Sequence, residues 1–244
     1  MRYAVLSDVH ANLPALEAVL ARLEAERPDG LLCLGDCVGY GAQPNECVAL
    51  LIEHQAIAVR GNHDVAAVES GKEQWFTEGA RRCILWTREQ LQPQVHDYLS
   101  GLPDTLEADG AQLCHGAPFD PDYYVLTEAD AEMALEASER RLVFVGHTHC
   151  AEWYTAGAGG TRPVLFPASS GGTLVMEPGK GYVVNPGAVG QPRDGNSMAA
   201  YAVWDTEAAT IRLHRVPYNI RAAQEEIIRA GLPAMMSARL VVGA

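Results

Sequence analysis

Short apolar runs alternate with amphipathic ones along the first sixty residues. Residues 2–7 (RYAVLS), 30–34 and 56–59 are apolar and bounded by Gly, Asp or Arg, the pattern of buried strands. Between the first two, Leu13, Leu16, Val19, Leu20 and Leu23 recur at three- and four-residue spacings with Pro14 near the start, predicting a helix over 13–27. A second helix is predicted over 44–54. This β-loop-α-β-loop-α-β succession implies right-handed crossovers onto a largely parallel sheet. Residues 66–100 change character: helices are predicted over 77–88 and 89–99, with Trp75, Phe76 and Trp86 as core or rim aromatics. A strand at 111–115, a helix at 127–139 and a strand at 142–145 follow.

Beyond residue 150 the pattern turns to short strands, predicted at 152–156, 164–167, 173–176, 182–185, 199–205 and 210–215. Glycine clusters at 157–160, 171–172 and 179–181 mark tight turns between several of them. These runs resemble hairpins and predict a second sheet packed on the first. A helix over 219–230 closes the pattern, and the tail after Pro233 shows no periodicity that assigns it. Without a linker or repeat, residues 1–244 are expected to form one domain with a helical insertion around 66–100.

Composition narrows the function classes. With 244 residues the chain can bury a large core without a structural metal or disulfide. Its formal net charge of -13 opposes extended contact with nucleic acid. Six cysteines carry no CxxC pair, which fits reduced thiols in a cytoplasmic setting and excludes a zinc ribbon. No apolar run reaches spanning length, and the opening strand leaves no room for a signal peptide, so no membrane partner is expected.

The chemistry gathers at the strand ends. Asp8 and His10 follow the first strand, Asp36 the second, Asn62, His63 and Asp64 the third, His115 the next, and His147 with His149 the last of the αβ series. Parallel strands align such ends along one edge, and on an extended exit residues i and i+2 face one way, so Asp8 with His10 and His147 with His149 can share an ion. Singly, each has a plainer reading. VRGNHD (59–64) is also a turn-forming sequence, Asp8 could cap the helix at 13–27, and His115 could be a hydrogen-bonded core histidine. Jointly, chance placement of so many histidines and acids is a poor explanation. A nitrogen and oxygen donor set without thiolates suits manganese first, with iron, zinc, nickel or cobalt as alternatives, and the surplus of donors argues for two ions with Asp36 shared between them.

The blocks DVH (8–10), GDCVGYG (35–41), GNHD (61–64), CHG (114–116) and GHTH (146–149) resemble, in order, those of the calcineurin-like metallophosphoesterase superfamily. Asn185-Pro186-Gly187 is similar to a segment of its small bacterial and archaeal phosphodiesterase branch. The resemblance implies an α/β fold, a four-layer αββα sandwich of two mixed β-sheets flanked by helices, with a dinuclear centre. By it, Asp8, His10 and His149 hold one ion, Asn62, His115 and His147 the other, and Asp36 bridges. His63 stands beside the leaving group with Asp64 as its partner. Gly39 and Tyr40 replace the acid and arginine of the protein phosphatases, which removes their phosphate clamp and leaves Arg60, Arg193 and Tyr40 as substrate-binding candidates, with Arg162 a weaker one.

The expected activity is hydrolysis of a small phosphodiester through attack by a hydroxide bridging the ions. A phosphomonoesterase is the alternative, and a non-catalytic scaffold a third reading. Loops around Tyr40, Trp75, Tyr123 and Arg193 are expected to border the substrate. Self-association into a homo-oligomer stays open.

Overall fold

The computed structural model describes residues 1–157 and 162–244, so the glycine turn expected at 157–160 lies, after Gly157, outside the described residues. The chain begins β1 (Arg2–Leu6), α1 (Leu13–Glu26), β2 (Gly30–Cys33), α2 (Pro44–Glu53) and β3 (Ile57–Ala58). It continues through α3 (Asn62–Val68), a 3-10 turn (Lys72–Trp75), α4 (Glu78–Gln90) and α5 (Pro93–Ser100). Then come β4 (Thr105–Ala108), β5 (Ala111–Cys114), α6 (Glu128–Ala137), β6 (Leu142–Phe144), β7 (Ala151–Ala156) and β8 (Val164–Pro167). The last elements are β9 (Gly172–Val175), β10 (Gly181–Pro186), β11 (Ala199–Asp205), β12 (Thr210–Val216), α7 (Ile220–Arg229) and α8 (Ala234–Val242).

Two mixed sheets result, ordered β3-β2-β1-β11-β12-β9 and β4-β5-β6-β10-β7-β8. In the first, β1, β2 and β3 run parallel, with β1 paired to β2 from Tyr3↔Gly30 to Leu6↔Cys33. In the second, β5, β6 and β10 run parallel. The late strands do not form a sheet of their own, as their hairpin pattern suggests. Of these, β9, β11 and β12 extend the first sheet, whereas β7, β8 and β10 join β5 and β6. Hairpin signals are local and carry no information on which existing edge a strand will find.

Period-two alternation sorts the side chains into layers. Tyr3 and Val5 of β1, Leu32 of β2, Phe144 of β6 and Val184 of β10 turn into the layer between the sheets, where Trp204 joins them. Ala4, Leu6 and Cys33 turn outward onto Leu16, Val19 and Leu23 of α1 and Val48 and Leu51 of α2. Val143 and Val183 face Ala131 and Ala134 of α6 on the far side. The order is helix, sheet, sheet, helix, with each fully buried large side chain contributing about 1.5–3 kcal/mol.

Helix α1 starts at Asn12, whose side chain accepts from the Ala15 amide at 3.3 Å, so the cap is Asn12 and not Asp8. Three elements escaped the sequence pattern: α3, β4 and α8. Helix α8 buries Met236 and Leu240, four residues apart, but it is only nine residues long, too short a stretch for periodicity to stand out.

Candidate metal centre

The carboxyl ends of β1, β2 and β3 deliver Asp8, His10, Asp36 and Asn62 from one sheet, and those of β5 and β6 deliver His115, His147 and His149 from the other. The exits are not extended, as the spacing argument assumes. Asp8, His10, Asp36, His147 and His149 all have left-handed backbones, with φ of 54, 49, 52, 66 and 61°. Non-glycine residues there cost about 1–3 kcal/mol each and persist only where surrounding structure over-determines them. Here backbone bonds do so: Asp8 N donates to Gly35 O at 3.0 Å and His10 N to Asp36 O at 2.9 Å.

Two donor clusters form, one of Asp8, His10, Asp36 and His149 and one of Asp36, His115 and His147, all buried and each with its ligand atoms within 4.8 Å of one another. Asp36 belongs to both. Its Oδ2 lies 3.5 Å from His10 Nε2 and 3.4 Å from His115 Nε2, while Oδ1 accepts the His63 amide at 2.8 Å. Asn62 Oδ1 adds a donor 3.2 Å from His115 Nε2.

The hydrogen bonds indicate what these donors require. His10 Nδ1 meets Val38 O at 3.1 Å, His115 Nδ1 meets Leu34 O at 2.8 Å, and His149 Nδ1 meets Gln191 O at 2.6 Å. His147 is turned over, with Nε2 on Asp122 O at 3.1 Å. A carbonyl can only accept, so each of these nitrogens carries the proton and the other presents a lone pair. Those lone pairs then confront one another: His10 Nε2 and His149 Nε2 are 3.1 Å apart, as are His115 Nε2 and His147 Nδ1. Asp8 Oδ1, buried and without a hydrogen-bond partner among the described residues, joins the first pair, 3.2 Å from His149 Nε2. Acceptors facing acceptors in a buried space fit a cation in each cluster, and carbonyl-fixed tautomers are the usual support of ligating imidazoles.

His63 sits beside the clusters rather than in them. Its ring packs against Tyr40 and Phe76 at centroid distances of 4.4 and 4.8 Å, and burial holds its imidazole down to about 4. The expected pairing with Asp64 is not made. Neighbouring residues on a helix point about a quarter-turn apart, and the Asp64 carboxylate is engaged by the amides of Gly61 at 3.0 Å and Val38 at 3.1 Å. His63 Nδ1 is left without a hydrogen-bond partner among the described residues, close against Gly39. Burial, reinforced by Asp36, pushes the Asp64 carboxyl up to about 7.

A cleft of about 520 Å³ opens over the centre, lined by Asp36, Asn62, His63 and His147 at its floor. All three substrate-binding candidates line it. Arg60 is tied to Asp104, with Nε–Oδ1 2.7 Å and Nη2–Oδ2 3.2 Å, and lies 3.7 Å from Glu69. Arg193 has no carboxylate partner among the described residues; its Nη2 donates to Gln191 Oε1 at 3.1 Å and reaches the Tyr40 hydroxyl at 3.3 Å. Tyr40 lies beneath it and against His10, ring centroids 4.6 Å apart. Arg162 is exposed and does not line the cleft.

Tyr124 went unmarked by sequence, and the NPG segment was marked without a role. Tyr124, not Tyr123, stacks on His147 at 3.7 Å, because the Tyr123 hydroxyl turns away to Asp130 at 2.8 Å. Two adjacent tyrosines in a polar loop carry no signal that separates them. Asn185 donates to Gly146 O at 2.7 Å and Thr148 Oγ1 at 2.9 Å, so the NPG segment braces the loop bearing His147 and His149.

Two histidine and aspartate clusters sharing one carboxylate, at the edge where two mixed sheets meet, define a metal-dependent phosphoesterase with a dinuclear centre. The sequence profile of the calcineurin-like phosphoesterase superfamily domain matches residues 1–209, and the chain belongs to that superfamily. It is 33% identical to an uncharacterized protein of Methanocaldococcus jannaschii over 98% of this chain and 97% of that one. A metallophosphoesterase structure from Sphaerobacter thermophilus superposes with a TM-score of 0.86 at 37% identity, covering 100% of this chain and 99% of the other. A hypothetical protein from Pyrococcus horikoshii, at 21% identity, shares the fold with a TM-score of 0.82 over 100% and 98% of the two chains. Among the described residues no helix is long and apolar enough to cross a membrane.

Proposed function

We propose that the protein is a phosphodiesterase of the small bacterial and archaeal kind, acting on a small diester at a dimanganese centre. Asp8, His10 and His149 hold one ion, Asn62, His115 and His147 the other, and Asp36 both. In this reading the chain is one domain whose inserted helical segment, around 66–100, walls the cleft. Its free cysteines accord with a reducing cytoplasm.

The observation that favours a diester is the charge balance of the cleft. Arg60 is neutralised by Asp104 and Glu69, which leaves Arg193, with Lys72 from the 3-10 turn, as cations without an acidic partner among the described residues. A singly charged diester asks for less positive charge than a monoester dianion. Two bound ions supply Lewis acidity to the phosphoryl oxygens and a nucleophile derived from water. Arg193 orients the diester by donating to a nonbridging oxygen, supported from below by Tyr40. His63 donates a hydrogen bond to the departing oxygen, its ring held between Tyr40 and Phe76. Asp64 contributes by fixing the turn that carries Asn62 and His63.

Turnover of bis(p-nitrophenyl) phosphate and of p-nitrophenyl phosphate by manganese-loaded protein tests the assignment. The expected result is a higher kcat/KM for the diester, with His63→Ala lowering turnover about 10²–10⁴-fold at unchanged metal content. A higher kcat/KM for the monoester, or no turnover by fully loaded protein, overturns it.

A further inference from the structure

The metal clusters occupy only the floor of the cleft, and part of the remaining wall is aromatic in a way that hydrolysis does not use. Trp75, on the 3-10 turn, is 89% exposed. Tryptophan normally buries most of its surface, so an indole left open costs apolar hydration that a polar residue would avoid. Tyr124 is 45% exposed, and its ring lies near-parallel to His147 with an interplanar angle of 28°. One face is thus fixed by a residue of the metal centre while part of the side chain stays open to solvent. Both residues line the same cleft as Arg193 and Lys72.

A ligand matched to this wall carries a flat apolar group and a negative charge a short distance from it. We propose that Trp75 and Tyr124 form a subsite for a nucleobase, so that the substrate is a small nucleotide phosphodiester; this rests on the phosphodiesterase reading above. A quaternary ammonium group also seats on aromatic rings, but Lys72 and Arg193, the cleft cations without an acidic partner among the described residues, line the same space and repel it. A long polynucleotide is disfavoured in turn, because Glu69, Asp104 and Asp122 also line the cleft and the whole chain is acidic. What remains is a ligand of one or two nucleotides, whose base gains about 1–3 kcal/mol by stacking.

The test compares the methyl phosphodiester of adenosine 5′-monophosphate with the same ester of 1-O-methylribose 5-phosphate, which lacks the base. Hydrolysis by the manganese-loaded protein is followed by phosphorus NMR, with bis(p-nitrophenyl) phosphate as a third substrate. The expected ratio of kcat/KM, adenosine ester over base-free ester, is about 5- to 150-fold, the stacking energy converted at 1.4 kcal/mol per decade. In Trp75→Ala and in Tyr124→Leu the ratio falls towards one, chiefly through KM of the adenosine ester. A wild-type ratio near one, or a ratio unchanged in both variants, overturns the subsite. Turnover of bis(p-nitrophenyl) phosphate without turnover of either ribose ester overturns the subsite alone. If none of the three diesters is cleaved by loaded protein, the phosphodiesterase reading falls with it.

Discussion

Gly61 offers a way to disturb the shared carboxylate without altering any candidate ligand. Its backbone, with φ -100° and ψ 173°, is open to any residue, so Gly61→Ala carries no conformational penalty of its own. The fault lies in space. A Cβ there stands 2.8 Å from Asp36 Cγ and closer still to its Oδ1 and backbone nitrogen, so the carboxylate and the Asp36 backbone must both move, by roughly 1 Å, to regain van der Waals separation. That movement breaks the 2.8 Å bond from the His63 amide to Asp36 Oδ1 and shifts Oδ2 away from its place between His10 and His115. Losing a hydrogen bond to a charged group costs about 1.5–3 kcal/mol and overpacking about 1–3 more. The sum, about 2.5–6 kcal/mol, corresponds to a fall in Tm of roughly 5–24 °C in a chain of this size. Metal content by plasma mass spectrometry should drop below two ions per chain in the same variant, measured beside Tm. Two ions retained at wild-type Tm would show that Asp36 does not depend on the space Gly61 leaves, and the bridging geometry would be wrong.

Two further expectations concern groups outside the ligand set. Arg215 and Asp194 form a buried ion pair, and Asp194 also accepts the Ala151 amide at 3.0 Å, so Arg215→Met leaves a buried carboxylate uncompensated. The loss should be about 3–5 kcal/mol in urea denaturation, with much of it recovered when Asp194→Leu is added; an undiminished loss in the double variant would refute the pairing. Glu152 is half-buried beside Asp194, and burial pushes its carboxyl up to about 7, against the Tyr154 hydroxyl that donates to it. The folded state therefore keeps a proton that the unfolded chain releases near the ordinary carboxyl pKa of about 4.3, and stability falls as pH rises from there to about 7. Glu152→Gln should be more stable than wild type at pH 8, by an amount of order 1–3 kcal/mol that shrinks below pH 5; parallel stability curves would show that Glu152 titrates normally.

Much of the centre was legible because its donors sit at strand ends, and strand ends are marked by the change from apolar to polar residues. Asp36 could be read as shared because a centrally placed carboxylate offers two oxygens and a negative charge. What escaped depends on contacts distant in sequence. That Asp64 serves Val38 and Gly61, and not its neighbour His63, follows from a helix beginning at Asn62, where the sequence suggests only a turn. That Arg60 is neutralised depends on Asp104, 44 residues away. The left-handed exits at Asp8, His10, Asp36, His147 and His149 left no trace either, since no glycine stands there. The split of the late strands between two sheets reflects edge availability, which local pattern does not encode.

Because each cluster draws donors from both sheets, how closely its donors converge is a property of the layer of side chains between those sheets. Phe144, Val184, Leu32 and Trp204 lie away from the chemistry, yet their combined thickness sets how far His115 and His147 stand from Asp8 and His10. A methyl group gained or lost in that close-packed layer is felt by both sheets and so by the donors that converge on Asp36. Core substitutions in that layer are therefore expected to move the donors of both clusters, and metal content read beside Tm in such a variant tests whether the core positions the centre.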